Sequence, residues 1–254
     1  MNPRLDLNAD LGEHDGPPPP AALALLRLVT STSIACGAHA GDDASMRVVA
    51  EEAAALGVQI GAHPSYPDRE GFGRRVMTLT AAEVTETVAR QVHALCAKAS
   101  AAGAIVRHVK PHGALYNLAS QNRLVADAVV AGITHVDASL ALYAPPGSEL
   151  ARAGAAALLR VVAEGFLDRS YEDDGSLTPR DVPGAVQHDP DIACTRAIEW
   201  VNHGQVRTRT GRVLRQPLET LCVHGDTVGA LTIATRVRAA LAAAGIRVVA
   251  SLLP

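Results

Sequence analysis

Two hydrophobic periodicities alternate along this chain. Short apolar runs at 5–9, 33–36, 58–62, 105–109, 139–144, 159–164, 220–223 and 247–252 have the length and residue types of strands. Most are separated by longer stretches whose apolar residues recur every three or four positions, as on one helix face. Strand alternating with helix predicts a parallel sheet covered by helices. Eight candidate strands predict an α/β fold, a TIM-like (β/α) barrel with seven or eight parallel strands. Local signals agree. Thr80 and Glu83 have capping-box spacing, and Gly57, Gly103, Gly204 and Gly245 fall where helices should stop. Asp42 and Asp43 suit a helix start, 16–20 (GPPPP) reads as a stiff loop into a helix, and 205–215 reads as a hairpin turning at Thr210 and Gly211.

Polar residues interrupt this pattern in one recurrent place, the ends of the strands. The clusters are 8–13 (NADLGE), 36–42 (CGAHAGD), 61–64 (GAHP), 108–113 (HVKPHG), 168–169 (DR) and 224–226 (HGD). In a parallel barrel those ends open on one face, so six distant clusters are expected to form one mouth. Singly, each residue has a plainer reading as a helix cap or a core histidine, and Asp42 and Asp226 suit caps well. Their joint occurrence carries more weight, because five of the ten histidines (His39, His63, His108, His112 and His224) sit at strand ends. Strand alternation puts His108, Lys110 and His112 on one face if the strand runs that far. Lys110 is one of only two lysines, the other being Lys98 on an expected helix surface. A compact ammonium kept among arginines points to a role that a planar guanidinium would not fill. The loop 68–75 (DREGFGRR) carries three arginines between glycines and suits a clamp on an anionic group.

Composition narrows the function. The 254 residues suit one barrel, so a single domain over 1–254 is expected. With 48% hydrophobic and 19% charged residues, a disordered chain is excluded. A net charge of -3 gives no general attraction to nucleic acid or anionic membrane, which leaves a small solute as the expected ligand. Charges at Arg4 and Asp6 and the lack of a long apolar run argue against a signal peptide or membrane span, so a cytoplasmic protein is expected. The four cysteines form no CxxC pair and read as reduced thiols. No GxxxxGK[ST], GxGxxG or GxSxG motif occurs. Asp10, His39 and His63 offer donors for a divalent metal, though they come from three strands with no local spacing behind them.

At these motifs the chain resembles the LamB/YcsF family. The matching stretches are 6–13 (DLNADLGE), 34–42 (IACGAHAGD), 60–75 (IGAHPSYPDREGFGRR), 108–117 (HVKPHGALYN), 168–171 (DRSY), 176–180 (SLTPR), 183–186 (PGAV) and 223–226 (VHGD). The chain departs from the family at Ala38, where an aromatic is usual, at Ser33 in place of Asn, in the loop 16–20, and at Gly165 and Leu167. The resemblance implies a 5-oxoprolinase: ATP-dependent opening of the 5-oxo-L-proline lactam to L-glutamate, carried out with partner subunits B and C. It also implies a barrel related to polysaccharide deacetylases, many of which hold a metal with Asp and His. ATP, with Mg2+, is then expected to be handled with the partner subunits, and a bound divalent metal and a homo-oligomer are left open. On this basis Asp10 is the expected general base, and His39, His63 and His112 are expected as acid, base or metal ligands. Lys110 would stabilise an oxyanion or phosphate, and Arg74, Arg75 or Arg169 would hold the substrate carboxylate. Asn8, Glu13, Asp168, His224 and Asp226 complete the expected substrate site. The competing expectations are a stand-alone metal-dependent amidase or deacetylase and a non-catalytic binding subunit.

Overall fold

The computed structural model describes residues 3–252, so residues 1–2 and 253–254 of the expected 1–254 domain lie outside the described residues. Seven parallel strands close into a barrel: β1 (Arg4–Leu11), β2 (Ser31–Ala35), β3 (Gln59–His63), β4 (Val106–Val109), β5 (Ala141–Ala144), β6 (Val161–Phe166) and β9 (Thr220–His224). The β1–β9 pairing completes the closure, with Asp6 opposite Thr220 and Asp10 opposite His224. Around the strands lie α1 (Pro20–Leu26), α2 (Asp43–Leu56), α3 (Ala81–Ala101), α4 (Gly113–Gln121), α5 (Arg123–Val136), α6 (Glu149–Ala156), α7 (Pro190–His203) and α8 (Ala230–Ala243). β7 (Gln205–Arg207) and β8 (Val213–Arg215) form the expected antiparallel hairpin. The capping box forms at the start of α3, and Asp42 caps α2, whose left-handed stop is Gly57.

The run 247–252, expected as a strand, contributes only β10 (Arg247–Val248). The reason is steric: the β1 edge above Leu5 is already taken by β9, so β10 pairs only with Arg4 and Leu5. The chain then crosses the floor of the barrel. There Ser251 hydrogen-bonds the Tyr143 hydroxyl at 2.9 Å, and Leu252 packs on Ala141, Tyr143 and Val162.

The main apolar core is the layer between strands and helices, and includes Leu5, Leu7, Ile34, Ile60, Val109 and Leu221. TIM-type interiors are usually filled by branched aliphatics. Here the alternate side chains put polar groups inside. Near the floor, Asp6 accepts hydrogen bonds from Thr30, Ser31 and Thr220, each at 2.6 Å, and from Tyr143 at 3.2 Å. Above it lie Asn8, Ser33, His108, Glu164 and Cys222, and at the mouth Asp10, His63, Lys110 and His224. A buried polar interior of this kind holds only if its groups are paired, and these largely are.

Candidate active site

The centre of the mouth is an ammonium between two carboxylates. Lys110 leaves the end of β4 with its amide bonded to the Ala62 carbonyl, which aims its side chain into the barrel. Its Nζ lies 2.8 Å from Asp10 Oδ1 and 2.9 Å from Glu164 Oε1, and it donates to Asn8 Oδ1 and Cys222 Sγ. Glu164 also accepts from Asn8 Nδ2 at 3.1 Å and from the Tyr116 hydroxyl at 2.8 Å. Burial opposes the charge on Lys110, but Asp10 and Glu164 hold its pKa well above the ordinary lysine value. Burial likewise resists ionisation of Asp10, and the fields of His63, Lys110 and His224 outweigh it, leaving Asp10 well below the usual carboxylate range.

Beside this group His39, His63 and His112 converge with Glu13. The outer nitrogen of each ring is committed. His63 Nδ1 donates to the Lys110 carbonyl at 2.6 Å, and His112 Nε2 donates to the Phe72 carbonyl at 2.8 Å. His39 Nδ1 donates to Ser65 Oγ at 2.9 Å, because that hydroxyl spends its own proton on the Tyr66 carbonyl. Phe72 holds a left-handed φ of 54°, a sparsely populated state for a non-glycine residue. The loop over 68–75 is pinned by Asp68, which accepts from the Gly71 and Arg75 amides, and by Arg69 bonded to the Gly37 and Gly41 carbonyls. Burial lowers the pKa of His39 and His112 to about 4 and that of His63 well below its ordinary value, and raises Glu13 to about 7.

The opposite wall is cationic. The buried Asp168 binds His224 Nδ1 at 2.9 Å and the Thr227 hydroxyl at 2.5 Å, which fixes the imidazole and leaves Nε2 as its free proton acceptor. Asp226 pairs with Arg74 and lies 3.9 Å from Arg180, joining three loops across the rim. Arg169 is 4% exposed, gives Nη2 to the Thr178 carbonyl, and has no carboxylate partner among the described residues. Its Nε is buried without a hydrogen bond. Burial, reinforced by Arg180, lowers its pKa to about 10. A cavity of about 300 Å³ lies between these walls, lined by Asp10, His63, Lys110, His112, Arg169 and His224 among others. That is the small end of the range for ligand sites.

The LamB/YcsF family profile matches residues 5–252. The chain belongs to the LamB/YcsF family. It is 49% identical to the A subunit of 5-oxoprolinase from Methylococcus capsulatus over 97% of this chain and 95% of that protein. Its identity to the corresponding 5-oxoprolinase protein of Tolumonas auensis is 45%, over 96% and 98%. The fold superposes on the crystal structure of a lactam utilization protein from Thermus thermophilus with a TM-score of 0.90 at 39% identity, covering 97% and 99%. No helix among the described residues is long and apolar enough to cross a membrane.

In this LamB/YcsF chain the geometry redistributes several expected site residues. His108 does not reach the mouth, because β4 ends at Val109 and Pro111 breaks the alternation. Its ring lies inside the barrel, stacked on Tyr143 at 4.0 Å and 3.3 Å from Ser33 Oγ. His112 arrives instead as the residue before α4. Arg75 is committed to Asp68 and Glu70 and does not line the cavity. Asn8 lies beneath Lys110, and Asp168 stands behind His224, so neither lines the cavity. Among the described residues two groups of potential metal donors converge, Glu13 with His39, His63 and His112, and Asp10 with Cys222 and His224, so the expected trio of Asp10, His39 and His63 is divided between them; Asp10 Oδ2 is 3.4 Å from His63 Nε2, and its Oδ1 faces Lys110. Sequence reasoning did not single out Glu164, Tyr116 and Arg180. Glu164 had a readable signal, a lone charge inside the apolar run VVAEGF, whereas Tyr116 and Arg180 lay inside matching stretches without a spacing that marked them.

Proposed function

We propose that this chain is the A subunit of an ATP-dependent 5-oxoprolinase in the cytoplasm, opening the lactam of 5-oxo-L-proline to L-glutamate together with subunits B and C. Relatives that match nearly the whole chain carry that name. The observation that carries the reading in this chain is Arg169, a buried guanidinium with no carboxylate at ion-pair distance among the described residues, on the same small cavity as Asp10, Lys110 and His224. A buried cation left unpaired is costly unless an anion completes it. 5-Oxoproline brings one carboxylate and, a few bonds away, the amide to be opened.

In this reading Arg169 and Arg180 hold the substrate carboxylate, and the ring carbonyl has Lys110, Asp10 and His224 for neighbours. Asp10 is ionised but far too acidic to carry a proton at neutral pH, so it orients the attacking water as a hydrogen-bond acceptor. The proton passes to His224 Nε2, since Asp168 holds the other nitrogen and supports the imidazolium. Water adds to the ring carbonyl carbon, the C–N bond breaks, and the ring nitrogen takes up a proton. Lys110 is a fixed point charge for the negative charge on the activated lactam oxygen and the phosphoryl group it carries. ATP, with Mg2+, would first give its terminal phosphoryl group to the lactam oxygen with release of ADP, and after ring opening a second water would cleave the resulting acyl phosphate to glutamate and phosphate. We assign the nucleotide to the partner subunits because the chain carries no glycine-rich phosphate loop.

The test is glutamate release from 5-oxoproline and ATP by this chain alone and by the chain with both partners. Release is expected only from the mixture. Amide hydrolysis by the chain alone, with a divalent metal and no nucleotide, would support the stand-alone amidase or deacetylase instead. Unchanged turnover by the complex carrying Asp10→Asn or Lys110→Ala would reduce this chain to a binding role.

A further inference from the structure

We propose that Glu164 is a positioning residue of the ring-opening site: it draws the Lys110 ammonium inward and so leaves Asp10 Oδ1 free to accept a hydrogen bond from the attacking water. This deepens the lactam reading and rests on it. An ammonium has three protons to give. The hydrogen bonds of Lys110 Nζ go to Glu164 Oε1 at 2.9 Å, Cys222 Sγ at 3.1 Å and Asn8 Oδ1 at 3.2 Å, which accounts for all three. Asp10 Oδ1 lies nearer, at 2.8 Å, yet has no hydrogen-bond partner among the described residues. The charge of Lys110 therefore holds Asp10 while its protons point elsewhere. A buried acceptor left open is costly until a donor fills it, and Asp10 lines the substrate cavity.

The inward aim is built from the floor of the barrel upward. Asp6 Oδ2 takes the Thr220 hydroxyl proton at 2.6 Å, so Thr220 Oγ1 accepts from Asn8 Nδ2 at 2.7 Å. That fixes the Asn8 amide, with its oxygen toward Lys110 and its other N–H given to Glu164 Oε1 at 3.1 Å. Glu164 Oε2 accepts the Tyr116 hydroxyl at 2.8 Å, so both carboxylate oxygens are committed and the group is held in place. Glu164 is buried within β6 and does not line the substrate cavity, so it acts on the reaction only through Lys110. Without its charge, Asp10 is the one carboxylate left beside the ammonium. Lys110 then turns a proton to Asp10 Oδ1 and fills the acceptor that the water needs.

The test has a kinetic and a spectroscopic arm. Glu164→Gln keeps the size and hydrogen-bonding reach of the side chain and removes its charge. In the complex with both partners it is expected to lower kcat for glutamate release roughly 10–100-fold, the worth of one charged hydrogen bond, with the KM for 5-oxoproline within about twofold of wild type. Thermal unfolding that shows the variant folded at the assay temperature separates this from loss of active chain. An unchanged kcat, or a loss confined to KM, would overturn the proposal. The spectroscopic arm uses the wild-type chain and needs no turnover. Because the chain has only two lysines, isotopic labelling of lysine nitrogen and of carboxyl carbons for NMR gives two ammonium signals, and Lys98→Arg identifies which is Lys110. Scalar coupling across the hydrogen bond is expected from Lys110 Nζ to the Glu164 carboxylate carbon and not to that of Asp10. Coupling to Asp10, or none to Glu164, would overturn the positioning role. A wild-type complex that releases no glutamate would instead remove the lactam reading, with the coupling still deciding whether Glu164 aims Lys110.

Discussion

Lys110 and Lys98 are the only lysines of the chain and occupy opposite surroundings. Lys98 meets Asp43 on the surface, whereas Lys110 is buried between Asp10 and Glu164. Removing one member of a buried ionic group leaves its partners unpaired, so Lys110→Met is expected to lose about 3–5 kcal/mol in urea unfolding. Lys98→Met should lose under about 1 kcal/mol. Similar losses for both would contradict the buried charge group. Asp168 supplies a pH test. His224 and Thr227 outweigh the upward push of burial and hold it at about 2, against an ordinary 3.8. A folded-state pKa below the unfolded one means that the carboxylate stabilises the fold above about pH 4, and that this contribution disappears as the pH falls through about 2. The shift corresponds to roughly 2 kcal/mol. The unfolding free energies of wild type and Asp168→Asn should therefore converge by roughly that amount between about pH 5 and about pH 2. A constant difference would show that Asp168 is not held this way.

At the scale of elements, β3 and β4 show why a small residue faces a large one inside the barrel. A Cβ on Gly61 would lie 2.1 Å from His108 Nε2, so β3 leaves room for the imidazole. Gly61→Ala is expected to destabilise the chain by at least about 1–3 kcal/mol. Adding His108→Ala should recover much of that, with a coupling above about 1 kcal/mol in a double-mutant cycle. Additive losses would mean the two strands do not pack this way. The same pair marks the limit of reading strands from sequence. The apolar runs located all seven barrel strands to within about two residues, because the outward faces pack a continuous apolar layer. His108 was misplaced because alternation shows a face but not a height, and the strand ends one residue later. Glu164 was passed over because polar clusters after strands drew attention, while its own position lies within β6.

For the molecule as a whole, closure by seven strands and a crossing tail gives the barrel a sealed floor and an open polar mouth. The convergence of Asp10, His63, Lys110 and His224 was legible, since every barrel strand points the same way and its end must reach one face. Partnering within the mouth was not, because it depends on loops of different lengths meeting. Arg75 and Arg169 look alike in sequence, yet one is bound by Asp68 and Glu70 and the other is buried with no carboxylate partner among the described residues. The proposed role of Arg169 is thus the most direct test of the functional account. The measurement is the KM for 5-oxoproline of the complex with both partners, comparing wild type with a folded Arg169→Gln chain. Loss of a charged hydrogen-bonding partner predicts a KM raised roughly 10–100-fold with the KM for ATP unchanged. A KM for 5-oxoproline unaltered by Arg169→Gln would contradict the account.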